Sequence, residues 1–342
     1  GHALTALGVD VALDDTSRAQ VRLAVDYGAG RLSRPDDQPR LIVVAVPPDV
    51  TADVVASELA RFPDAVVTDV ASVKLAPLHE LRERGIDLKR YIGSHPLAGR
   101  ERGGAISARS DLFIGRPWVV CRDEETSSAD LAVVEGLALD LGAMPIEMTP
   151  EEHDRSVAVV SHVPQLVSSL LAARLREAPE QSLELAGQGV RDTTRIAASA
   201  PELWVQILGA NSEPVVEVLD QLAADLGRVV DALRDPDGAG SRRTVADAIQ
   251  RGNEGVGRLP GKHGQKRRYE QFVVMVDDTP GQLAHLFSDL GVLGVNVEDM
   301  RLEHSPGAAF GLAEISVEPA SVADATAGLE ERGWRMAGTG NE

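Results

Sequence analysis

"LIVVAVPPDV", residues 41–50, is apolar without a break from Leu41 to Val46 and then meets two adjacent prolines. Alternation would mark a strand with one wet face, whereas an unbroken apolar run marks a strand covered on both faces, as in a parallel sheet. Pro47 and Pro48 cannot extend the strand, because neither carries a backbone N–H. Working outward, similar runs recur as "VDVAL" (9–13), "AVVTDV" (65–70), "YIGSHP" (91–96), "PWVVC" (117–121) and "MPIEM" (144–148), with helical patterns between them. Strands that alternate with helices imply βαβ units. Residues 1–148 are therefore expected to form a Rossmann-like α/β domain around a largely parallel sheet. The first strand of such a domain and its G-x-G-x-x-G turn, expected just ahead of "GHALTALG", are not in the residues given.

From Thr149 the texture is helical. "TPEE" (149–152) reads as a helix start, with Thr149 as N-cap, Pro150 in the first helical position and Glu152 completing a capping box. Val157, Val160, Val163, Val167, Leu170, Leu171 and Leu175 then follow at three- and four-residue steps, a buried stripe that Pro164 should interrupt. Further helices are expected at 183–198, 201–210 and 212–234, so that 149–234 forms an all-helical substrate and dimerisation domain. Residues 235–268, rich in Gly, Pro and charge around the short piece "TVADAIQ", read as a linker. Its basic run Lys262, Lys266, Arg267 and Arg268 is either a solvated stretch or an interaction patch. The remainder, 269–342, reads βαββα, a small α+β sandwich.

Thirty-four Lys and Arg against 53 Asp and Glu leave a net charge of −19, which repels nucleic acid and anionic lipid and favours a small-molecule partner. Cys121 is the single cysteine, so no internal disulfide can form and a reducing cytoplasm is expected. No uninterrupted apolar run reaches the roughly 18 residues of a membrane span.

Chemistry concentrates at strand ends. In "GSHPLAGRERGG" (93–104), Pro96 forces His95 into an extended conformation, which places an imidazole at the carboxyl end of a strand, where α/β sheets hold ligands. Gly99, Gly103 and Gly104 then allow close approach of the backbone. A neutral imidazole there can accept a proton; the alternative is a histidine satisfied in a turn. "TDVASVK" puts Ser72 and Lys74 at the same edge, Ser72 either bonding the histidine or a substrate hydroxyl, or capping a helix. "VDVALDD" ends in Asp14 and Asp15, the position from which a carboxylate accepts ribose hydroxyls and repels a 2′-phosphate, unless it is only a turn residue. His153 and His162 are nine residues apart, on opposite faces of a regular helix, and share a site only if the kink at Pro164 begins early. No metal is expected. Asp192 and Arg195 lie three apart, as a surface salt bridge or with the guanidinium presented to a substrate carboxylate.

Together, "VAVPP", "TDVASVK", "GSHPLAGRERGG", "EEHDRSVAVVSHVPQ" and "RDTTRIAASAPELW" resemble, in order and spacing, the prephenate and arogenate dehydrogenases of tyrosine biosynthesis. The tail "DDTPGQLAHLF…VNVEDM" resembles an ACT domain, a module that senses amino acids. The resemblance implies NAD as cofactor, with Asp14, Val46, Pro47, Pro48 and Ser72 beside it, and prephenate or arogenate as substrate. It further implies His95 as the proton acceptor aided by Ser72, and Arg195, Asp192, His162, Gln165 and Arg100 around the substrate. Some relatives have a second histidine where this chain has Gln165. A homodimer is implied, as is an aromatic amino-acid effector, foremost tyrosine, near Asp278, Gly281 and Asn296. Two alternatives remain at this stage: an amino-acid sensor that keeps the fold without turnover, and a dehydrogenase of the 6-phosphogluconate-like group.

Overall fold

The computed structural model describes residues 1–98, 108–123, 126–259, 269–304 and 309–339. Gly99, Arg100, Arg102, Gly103, Gly104 and the basic run at 262–268 lie outside the described residues. The chain divides into two compact units, Gly1–Leu183 with Asp192–Ala224, and Glu184–Arg191 with Asp225–Glu342.

The first unit opens with α1 (His2–Ala6), β1 (Ala12–Leu13), α2 (Arg18–Asp26), β2 (Arg31–Leu32), β3 (Leu41–Val44), α3 (Pro48–Arg61), β4 (Val66–Asp69) and α4 (Leu75–Glu83). It continues with β5 (Tyr91–Pro96), β6 (Pro117–Cys121), α5 (Ser128–Asp140) and β7 (Met144–Met148). β1 and β2 pair in parallel as a two-stranded sheet, and the other five form a sheet in the order β3-β4-β5-β6-β7. Every pairing in the larger sheet is parallel except β5 with β6, so the expected parallel sheet is mixed. β3 is an edge strand of that sheet, which leaves Val43 41% exposed, whereas β4 is buried throughout. The unbroken apolar run therefore reports a Rossmann-like layer correctly but overstates the burial of its own strand. Pro47 and Pro48 end it as expected, with Pro48 opening α3.

Helical elements follow: α6 (Pro150–Val157), a π-helical segment (Ala158–His162), α7 (Val163–Arg174) with a 3-10 turn (Leu175–Glu177), α8 (Glu180–Glu184), α9 (Gln188–Thr194), a 3-10 turn (Arg195–Ala197), α10 (Pro201–Ala210) and α11 (Ser212–Arg234). The last two match their expected bounds. The helix expected at 183–198 is instead broken between Glu184 and Gln188, where Gly187 is a poor helix former. Pro164 does not end the helix either: it sits in the first turn of α7, directly after the π-helical segment. By length and composition Pro150–Glu177 is apolar enough to cross a membrane, although no uninterrupted run is. Its buried face, however, carries His153, Asp154, His162 and Gln165, groups that are costly in lipid.

In the second unit, α12 (Ser241–Val256) replaces nearly half of the expected linker, since "SRRTVADAIQRGNEGV" holds no proline and its glycines fall near its end. Then come β8 (Glu270–Asp277), α13 (Gln282–Val292), β9 (Asp299–His304), β10 (Phe310–Val317), α14 (Val322–Glu331) and β11 (Arg335–Thr339). The sheet is antiparallel in the order β11-β8-β10-β9 around a core that includes Phe272, Leu286, Ile315 and Leu329. The pattern is thus βαββαβ rather than βαββα. β11, "RMAGT", has too little apolar alternation to announce itself and is recruited by pairing with β8 across a register shift.

Candidate active site

β3, β4 and β5 run parallel, so their carboxyl ends share one edge of the sheet. β4 ends at Asp69, whose carboxylate is paired with the Lys74 ammonium, both side chains at most 1% exposed. The Tyr91 hydroxyl donates to the other Asp69 oxygen at 2.8 Å, and Lys74 Nζ donates to the Ser94 carbonyl at 2.7 Å. Ser94 Oγ donates in turn to the Asp69 carbonyl at 2.8 Å. Burial, and then the Asp69 charge, push the Tyr91 phenol well above its ordinary value, so it stays a donor. This cross-bracing immobilises the residue that follows Ser94. Removing one partner of such a buried pair costs about 3–5 kcal/mol, because the other charge is left uncompensated.

That next residue is His95, 9% exposed at the end of β5 as expected. Its ring partner comes from α6. The Thr149 hydroxyl accepts from Glu152 N at 3.1 Å while Glu152 Oε2 accepts from Thr149 N at 2.9 Å, so the expected capping box starts this helix and orients its first turn. One turn later His153 places Nε2 at 2.8 Å from His95 Nδ1, the rings meeting edge to face at 5.1 Å between centroids. His153 Nδ1 lies 2.7 Å from Asp154 Oδ1. The same carboxylate accepts from Lys74 N and Leu75 N, each at 2.9 Å, and so caps α4 from a remote element. Burial, reinforced by His153, Lys74 and His162, holds the His95 pKa well below the ordinary imidazole value. Burial also lowers that of His153 against the raising effect of Asp154. Both rings are thus neutral near pH 7.

Ser72 is half-buried just beyond β4, but it neither caps α4, whose N-cap is Lys74, nor hydrogen-bonds His95. His153 has taken that place. The π-helical segment changes the phase between α6 and α7, so that His153 and His162, at 0% and 1% exposure, are both buried rather than facing opposite ways. Asn211, between α10 and α11, donates through Nδ2 to the Asp154 carbonyl at 2.8 Å and to His162 Nδ1 at 3.0 Å. His162 Nδ1 is therefore an acceptor and the ring hydrogen is on Nε2. Burial brings the pKa of His162 down to about 4, and its ring stands edge-on to Trp204 at 6.1 Å. Gln165 is buried, donating to Ser169 at 3.3 Å and accepting from Ser199 at 3.4 Å. Ser199 follows the 3-10 turn that begins with Arg195, and that turn packs on α7. Arg195 and Asp192 are exposed, and they sit in the 3-10 turn and in α9 respectively rather than on one helical face.

Asp14 ends β1 with an exposed carboxylate 4.0 Å from Arg61. Val46 and Pro47 lie between β3 and Pro48, the first residue of α3. Among the described residues no group of three His, Cys, Asp or Glu side chains is arranged to hold a metal ion. In the second unit Asp278 and Asn296 are exposed, and Gly281 caps α13 at φ +92°, a conformation that glycine alone adopts without strain. Sequence reading had not assigned Asp69, Tyr91, Asp154, Trp204 or Asn211 to the site, and had weighed His153 only as a metal ligand. The adjacent pair "HD" at 153–154, directly after a strong helix start, was the available signal.

Residues 1–147 match the family described as prephenate dehydrogenase, nucleotide-binding domain, and residues 149–246 the one described as prephenate dehydrogenase, dimerization domain. A protein of Streptomyces niveus named probable prephenate dehydrogenase NovF is 37% identical over 342 residues, covering 98% of this chain and 94% of its own. The prephenate dehydrogenase of Bacillus subtilis is 24% identical, covering 91% and 85%. Among solved structures, prephenate dehydrogenase from A. aeolicus in complex with hydroxyphenyl propionate and NAD+ superposes with a TM-score of 0.64 at 26% identity, covering 74% of this chain and 92% of its own.

Proposed function

The chain belongs to the prephenate dehydrogenase family, and from that premise we propose that His95 takes the hydroxyl proton of prephenate as the ring is oxidised. The enzyme is an NAD-dependent oxidoreductase, and its reaction is the oxidative decarboxylation of prephenate to 4-hydroxyphenylpyruvate. What supports the role of His95 is a single observation: a neutral imidazole, held from behind by His153, at the carboxyl end of β5. The residues present suit NAD, because the exposed Asp14 carboxylate can accept ribose hydroxyls and would repel a 2′-phosphate. Val46, Pro47 and Pro48 border the carboxyl end of β3, on the edge of the larger sheet that also carries the end of β5. NAD, when bound, supplies the hydride acceptor for the hydroxyl-bearing ring carbon.

The rest falls to the chain. His95 removes the hydroxyl proton; the bond to the ring carboxylate breaks, its electron pair completes the aromatic ring as CO₂ leaves, and the proton returns from His95 to the ring oxygen to give the phenol. Ser72, which does not bond His95, is assigned to the substrate hydroxyl. Arg195 is assigned to a substrate carboxylate, with Asp192 beside it, His162 offering its Nε2–H and Gln165 bordering the substrate side chain. Arg100 would join them from outside the described residues. Gln165, a neutral amide, is compatible with the keto acid of prephenate and with the amino acid of arogenate, so arogenate is the second candidate substrate.

NADH formation measured with prephenate and arogenate in parallel tests this reading. Turnover on prephenate is expected; turnover on arogenate alone would reassign the substrate. His95→Asn should lower kcat by roughly 10²–10⁴ with KM little changed, the usual worth of a positioned acid–base group, and wild-type turnover would overturn the assignment of the base. Arg195→Gln should chiefly raise KM.

The helical domain is proposed to form a homodimer, its exposed Val160, Leu170 and Val205 finding a second copy. A reducing cytoplasm suits Cys121, which is buried with its thiol pushed up to about 12. The βαββαβ domain is proposed to be an ACT-type regulatory module that holds an aromatic amino acid near Asp278, Gly281 and Asn296. Calorimetric titration should give saturable heat with tyrosine or phenylalanine, and no heat from either would retire the effector.

A further inference from the structure

We propose that Asp154, acting through His153, presets the tautomer of His95, so that Nδ1 carries the ring hydrogen and Nε2 is left bare to act as the base. The proposal rests on the assignment of His95 made above and names what makes that residue competent.

One chain of hydrogen bonds links Asp154 through His153 to His95, and its direction is set at the Asp154 end. Asp154 Oδ1 accepts from Lys74 N and Oδ2 from Leu75 N, each at 2.9 Å, so both oxygens are already engaged as acceptors. His153 Nδ1, 2.7 Å from Oδ1, must therefore be the donor. A neutral imidazole has a single N–H, so His153 Nε2 is bare. It lies 2.8 Å from His95 Nδ1, and two bare nitrogens would repel at that distance. His95 must then donate from Nδ1, which leaves Nε2 as its acceptor. No other neutral arrangement satisfies all four atoms.

Burial keeps both rings neutral in the resting enzyme, which the argument requires. Among the described residues, the charged and titratable groups acting on His95 are His153, Lys74 and His162, and those acting on His153 are Asp154, Lys74 and Asp69, with His95 at 2.8 Å and His162 beyond. When Nε2 gains a proton, the imidazolium can share its Nδ1 proton with His153, which spreads the charge toward the Asp154 carboxylate. Asn211 holds His162 in the opposite tautomer, with Nε2–H as a donor. Two histidines of identical covalent structure are thus set to opposite tasks by their neighbours. Asp154 is a positioning residue: it is sealed behind His153 at 1% exposure and does not meet the substrate.

Asp154→Asn is the sharp test. The amide keeps the shape but offers one acceptor to the three donors Lys74 N, Leu75 N and His153 Nδ1, so the bond that fixes the His153 tautomer is weakened or, with NH₂ turned toward Nδ1, reversed. The expected result is a folded enzyme with kcat lowered by at least about tenfold, up to the roughly 10⁴-fold seen where such an amide fully reverses the imidazole, and KM for prephenate within a few-fold. His153→Gln, whose amide can donate to Asp154 and accept from His95, should lose at least about tenfold less than His153→Leu, which keeps neither bond. Nitrogen-15 NMR of histidine-labelled wild-type enzyme should place the His95 hydrogen on Nδ1, and Asp154→Asn should lower that population in favour of Nε2. A hydrogen on Nε2 in the wild type, or Asp154→Asn with wild-type kcat, overturns the proposal. Should Asp154→Asn fail to fold, the wild-type spectrum decides alone. Because the spectrum does not depend on turnover, an active His95→Asn variant would retire the base assignment while leaving the tautomer readable.

Discussion

At the residue scale, the site is governed by desolvation. His95, His153 and His162 all titrate below the ordinary imidazole value of 6.5, His162 at about 4, with burial the leading cause in each. The unfolded chain takes up these protons near 6.5 while the folded chain resists them, so protonation favours unfolding. Stability should therefore be fully present above pH 6.5 and fall as the pH drops toward 4, as followed by the urea midpoint. His162→Gln should flatten that slope, and an unchanged slope would show that His162 is not held neutral. Residue identity alone announced part of this chemistry. His95 before Pro96 was legible because a proline constrains its predecessor wherever it occurs. The depressed pKa values were not, since they come from elements distant in sequence.

At the element scale, the decisive feature is the π-helical segment Ala158–His162 between α6 and α7. Its wider turn changes the phase between the two helices and brings His153 and His162 into one buried region. Deleting Val160, which is 64% exposed, should let the segment close into a regular α-helix and rotate His162 by about 100° relative to α6. Helicity by circular dichroism should persist while kcat/KM falls on the order of 100-fold or more, as misplacement of a positioned group does. Full activity in the deletion variant would mean that the phase of the helix is irrelevant to the site. Helix bounds such as Pro201–Ala210 and Ser212–Arg234 were readable from apolar spacing and from proline near the helix start. The π segment was not, because regular spacing assumes a constant turn and only the packing demand of two buried histidines departs from it.

At the scale of the whole molecule, the exposed side chains Val167, Leu170 and Leu171 of α7, with Val205 of α10 and Val216 of α11, form the apolar surface assigned to a second copy. Leu170→Glu should place a charge within that surface and shift the protein to a monomer mass by light scattering, at a fold otherwise unchanged. A monomer in the unsubstituted protein would refute the dimer.

By itself the sequence determined the order of domains, the Rossmann-like alternation, the capping box at Thr149, the proline-bounded strand and the extended placement of His95. All of these depend on neighbours within a few residues, whose steric and hydrogen-bonding preferences hold in any context. Only the tertiary structure decided that β6 runs antiparallel to β5 and that "RMAGT" becomes a fourth strand. It also decided that Asp154, rather than Ser72, lies behind the His95 chain of hydrogen bonds. Those pairings and hydrogen bonds join groups distant in the chain, up to 80 residues apart for Lys74 and Asp154, and the cost of leaving a buried polar group unpaired is settled only when the partners arrive.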